Sequence, residues 1–139
     1  MSFDGTMHPS KNDKNVVTSN DNSVYCFVKG TATIIVRIAQ MERLKYIESY
    51  QPNISASAGV GGASTFSLYG SNDNVNWEEI PTWIACARGT ESSWFDKSIN
   101  VHVVRNGDGD YNPKQWQYYK LVMKSAREWL CVGTQRLFF

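Results

Sequence analysis

The chain has 139 residues and a formal net charge of +1, with 42% hydrophobic, 13% aromatic and 19% charged residues. That length bounds one domain able to bury roughly two thirds of its unfolded surface. A charge so near neutrality, with no local basic cluster, gives no electrostatic case for nucleic acid or an anionic membrane as partner. Residues 1–22 are polar and lack the apolar core of a signal peptide. The longest strongly apolar run, around residues 34–36, is far short of a membrane span. The expectation is a soluble chain made in the cytoplasm. Few charges beside five Trp, seven Tyr and six Phe suit a β-sandwich with much of its surface committed to contacts.

In chain order, residues 1–22 read as a polar N-terminal arm and residues 23–139 as the folded domain. Val24 to Val28 form a strand, and Lys29-Gly30 a turn. In the next strand, Thr31 to Ala39, Ile34, Val36 and Ile38 share one face. Leu44 to Gln51 reads as a further strand. A helix over Ala39 to Tyr50 competes, through Met41, Leu44, Lys45 and Glu48, but Tyr46, Ile47 and Tyr50 are β-prone and Pro52 follows. Ile54 to Thr65 is a Gly-rich loop, and it lacks the Lys-Ser/Thr that would make Gly59 to Gly62 a phosphate loop. Phe66 to Gly70 and Val75 to Ile80 form a hairpin. Trp83 to Ala87 is a short strand, and in Ser98 to Arg105 the residues Ile99, Val101 and Val103 share a face. Tyr118 to Met123, with Tyr119, Leu121 and Met123 on one face, and Leu130 to Phe139 close the chain. About eight short strands with frequent turn signals predict an all-β fold, a jelly-roll-like antiparallel β-sandwich.

Cys26, Cys86 and Cys131 are odd in number and widely spaced, with neither histidine close in sequence. Buried thiols in a reducing compartment are the simpler reading, and a zinc site is disfavoured. A Cys26–Cys131 disulfide is conceivable if first and last strands meet.

The hairpin carries the most specific pattern. Phe66-Ser67-Leu68-Tyr69 runs into the turn Gly70-Ser71-Asn72-Asp73-Asn74 and closes on Val75-Asn76-Trp77. This passage resembles the central hairpin of the discoidin-like (F5/8 type C, galactose-binding-like) β-sandwich family. Trp116 to Val122 and Cys131 to Phe139 are similar to its last two strands. Gln135 stands where the family usually has an acidic residue, and the usual terminal cysteine pair has no evident counterpart. The resemblance implies a domain that binds and seldom catalyses, with ligands or partners held by loops at one end of the sandwich.

Trp94 and Phe95, side by side in a polar loop, are the leading binding residues, because an apolar pair is costly to leave in water. They either cover an edge of the domain's own core or dock on a protein, a glycan or a lipid. Tyr111 and Trp116 are further stacking platforms for a sugar. Asp108 and Asp110, with Asn106, alternate with glycines as in a calcium loop, and Asp73 is a second weak calcium candidate. Solvated turns explain all of these as well, and no cofactor is otherwise expected. Catalysis is disfavoured. Glu78 and Glu79 point to opposite faces of a strand, while His8 lies in the polar arm and His102 mid-strand, where a satisfied or exposed histidine is commoner than a general base.

The reading that follows is a non-catalytic binding or assembly module. Its leading form is a structural component of a phage or viral virion, contacting protein subunits or copies of itself. The alternative is a carbohydrate-binding, lectin-like adhesin.

Overall fold

Alternation along two long strands sets the architecture. On β2 (Cys26–Glu42) the side chains of Val28, Ala32 and Ile34 are buried, and on β9 (Trp116–Val132) those of Tyr119, Leu121, Met123 and Leu130. Their sequence neighbours face the other way, as the period of two requires. The structure is a computed structural model and describes residues 1–21, 25–51, 60–86, 97–104 and 114–139.

Among these residues ten strands form two sheets. The larger runs β1 (Ser2–Asp4), β2, β9, β5 (Thr65–Ser71), β6 (Glu78–Ile80), with the two-residue β4 (Val60–Gly61) also paired to β9. The smaller runs β10 (Gln135–Phe138), β3 (Tyr46–Gln51), β8 (Lys97–Val103), β7 (Thr82–Cys86). Every pairing is antiparallel except β4 with β9. The inner faces meet in one apolar core. Ile34, Leu68, Leu121 and Met123 come from one sheet, and Ile47, Val101 and Val103 from the other. Polar links tie the halves together. Ser49 Oγ donates to Met123 Sδ at 3.6 Å. At the β2–β3 corner Tyr119 Oη donates to the Glu42 carbonyl at 2.6 Å and accepts the Leu44 N–H at 3.3 Å. A buried hydroxyl is stable there because both its roles are filled. This all-β sandwich is the fold class expected from the strand pattern.

Several local expectations change. The segment 39–50 is not helical, since β2 runs to Glu42 and β3 begins at Tyr46. The expected turn at Lys29-Gly30 is a bulge inside one strand. Gly30, at φ +69°, faces residues 125–128 of β9, so the chain bends without reversing. Likewise the two expected late strands merge through β9, leaving β10 as a separate short strand. The second hairpin strand starts only at Glu78, because the N–H groups of Val75 and Asn76 are taken by Asp73.

The stretch read as a polar arm is built into the sandwich. β1 pairs with Thr33 to Ile35 along the outer edge of β2. The next residues follow the same edge, the N–H of Lys29 donating to Thr6 O and that of Phe27 to Lys11 O. A 3₁₀ helix (Lys14–Thr18), capped by Asp13, then buries Val16 and Val17 in the core. The scattered polar residues hid a single apolar pair that anchors the segment.

Cys26 pairs with Val132 and Phe27 with Cys131. Directly opposed residues share a face, so the two thiols leave opposite faces of the sheet. Both are free and fully buried, and this register does not favour the conceivable disulfide. Burial, with Asp13 nearby, pushes the Cys26 thiol up to about 12 and raises that of Cys131 further.

Candidate functional site

Four aromatic rings cross the outer face of the smaller sheet in one row. The register sets Phe138 of β10 against Tyr46 of β3, Tyr46 against His102 of β8, and His102 against Trp83 of β7. Their centroids are 4.5, 4.9 and 4.3 Å apart, with planes inclined by 9°, 28° and 9°. Those separations match the spacing of hydrogen-bonded strands, about 4.8 Å. The rings therefore stand upright on the sheet and stack face to face, with their edges toward solvent. Trp83, on the outermost strand, is 50% exposed, and Val104 beside it 42%. The next outward row along the strands is polar. Asn100 lies opposite Glu48, and Glu48 opposite Arg136, whose Nη1 sits 2.9 Å from Glu48 Oε1.

The sequence reading assigned these ring positions no binding role. Each strand shows an outward aromatic, but the four lie far apart in sequence. Only the pairing register brings them into one line.

The residues that the sequence singled out fall elsewhere. Trp116 packs against the core, and its indole lies where a Cβ at Gly70 would stand. Lys114 Nζ lies 5.5 Å from its ring centroid, and its Nε1 is buried with no hydrogen-bond partner. Its ring is partly buried by this packing. Trp94, Phe95, Tyr111, Asp108 and Asp110 lie outside the described residues.

Asp73 is the keystone of the β5–β6 turn. Its Oδ1 accepts from Ser71 Oγ, Val75 N and Asn76 N at 2.9, 2.9 and 2.7 Å, and its Oδ2 from Asn76 Nδ2 at 2.6 Å. Ser71 Oγ in turn accepts from the N–H groups of Asp73 and Asn74, and Asn74 adopts φ 60°. These bonds, those from the Asn76 and Val75 backbone first, hold the carboxyl well below the ordinary carboxylate range. With both oxygens already engaged, capping explains Asp73 without a metal. No group of three or more His, Cys, Asp or Glu suited to a metal occurs among the described residues.

No protein-family model matches the chain, and no curated protein matches it significantly. Solved structures do. CpGH89CBM32-5 from Clostridium perfringens, determined in complex with GalNAc-β-1,3-galactose, gives a TM-score of 0.64 at 14% identity, covering 99% of this chain and 93% of that one. CBM32-1 from a family 31 glycoside hydrolase of Clostridium perfringens gives 0.62 at 13% identity, over 99% and 93%. The C-terminal domain of a chitobiase from Bacteroides fragilis gives 0.67 at 14% identity, over 99% and 89%. At such identities the likeness is one of fold, and it spans the whole chain. Two facing sheets, the larger one edged by the Asp-capped β5–β6 hairpin that the sequence had marked, give this chain the discoidin-like, galactose-binding-like β-sandwich fold.

Proposed function

We propose that this domain is a non-catalytic carbohydrate-binding module. The observation that carries the reading is the whole-length fold match to domains that are themselves carbohydrate-binding modules, one of them solved with a bound disaccharide. Trp94 and Phe95, in the segment joining β7 to β8, and Tyr111, in the segment joining β8 to β9, are the proposed loop contacts. An indole or phenyl face takes the C–H side of a sugar ring while nearby polar groups take its hydroxyls. The competing expectation, a virion component held by protein subunits, has no observation in its favour among these neighbours.

A glycan array with the purified protein, run beside the Trp94→Ala/Phe95→Ala variant, tests the reading. The expected result is selective binding by the parent domain, weakened in the variant, with the bound glycan recovered uncleaved. A blank array from folded protein would overturn it.

A further inference from the structure

We propose that Trp83 is a sugar-stacking residue in its own right, at the β7 edge of the smaller sheet. The inference rests on the carbohydrate-binding reading and adds a site on a sheet face. In the row Phe138–Tyr46–His102–Trp83 each inner ring has both faces against neighbours. One face of Trp83 lies on His102 at 4.3 Å. β7 is the last strand of its sheet, and among the described residues no ring packs on the opposite indole face. A pyranose laid there would continue the pile as its next plate.

Three features favour a small neutral ligand at this position. The stack fixes the indole before binding, so little side-chain freedom is lost when the sugar docks. The neighbouring exposed side chain on the same face, Val104 at 42%, is apolar and uncharged, which suits the C–H face of a sugar better than an ionic partner. The edge itself is poorly made for another protein strand. β7 has five residues and is preceded by Pro81, and short strands and prolines are devices that blunt edge pairing.

The probes are galactose, GalNAc-β-1,3-galactose and the best glycan from the array, titrated against the parent protein, Trp83→Ala, Trp83→Tyr and Trp94→Ala/Phe95→Ala. Saturation-transfer NMR on the parent protein reads contact with the Trp83 ring directly, even if a variant fails to fold. The expected result is an affinity loss of about tenfold or more in Trp83→Ala, partial retention in Trp83→Tyr, and saturation passing from the Trp83 indole to the sugar. Equal affinity in parent and Trp83→Ala, with no transfer from Trp83, would overturn this site and leave the carbohydrate reading standing. No binding by the parent to any glycan would overturn both. A change of oligomeric state in Trp83→Ala at unaltered sugar affinity would make the face a protein contact and overturn the proposal.

Discussion

At Gly70 the core leaves room for a hydrogen and nothing larger, because a methyl there would fall inside the indole of Trp116. The indole packs against the core, so it cannot swing aside cheaply. Gly70→Ala is expected to lower unfolding free energy by about 2 kcal/mol, the usual scale of overpacking. Urea unfolding checks this, and the loss should shrink when the same change is made in a Trp116→Leu background. Asp73 acts at the same scale through charge. Its folded pKa is depressed, so the turn's bonds to the carboxylate contribute above the ordinary value of 3.8 and are lost as pH falls through the lowered one. In a carboxyl-carbon NMR titration Asp73 should remain largely ionised at about pH 3, where an unperturbed aspartate is mostly protonated. An ordinary midpoint would mean that the turn's hydrogen bonds are not kept in solution.

Among the elements, the N-terminal segment is the most informative. The 3₁₀ helix has one apolar pair, Val16 and Val17, and both are buried against the sandwich, where Thr134 Oγ1 reaches Val16 O at 3.4 Å. Val17→Ala should therefore cost about 2 kcal/mol, from two methyl groups and the space they leave. In a detached arm the same change would fall within about 0.5 kcal/mol, so thermal or urea unfolding separates the two pictures. Strand faces were legible in the sequence. Ile99, Val101 and Val103, and likewise Tyr119, Leu121 and Met123, alternate as a half-buried strand must, and they are buried as read. Strand ends were not legible where a bulge continues a strand through a glycine, as at Gly30, or where a side chain takes N–H groups from the ladder, as at Asp73.

For the molecule as a whole, the Asn-Asp turn pointed to the sandwich family, since its hydrogen bonds are local. The aromatic row was hidden for the opposite reason. Tyr46, Trp83, His102 and Phe138 meet only through the pairings of four separate strands, and no local pattern encodes a register.

The central position of β9 has a consequence for how the chain comes to be folded. This strand carries β2 on one side and both β5 and β4 on the other, yet residues 116–132 follow all three of these partners in the chain. Until they emerge, β2 and β5 have no common partner, and their apolar faces cannot close on a completed sheet. Contacts so distant in sequence make folding slow. They also leave open strand edges during synthesis, when aggregation is a hazard. β1 covers the outer edge of β2, so the edge of β2 left open until β9 forms is the inner one.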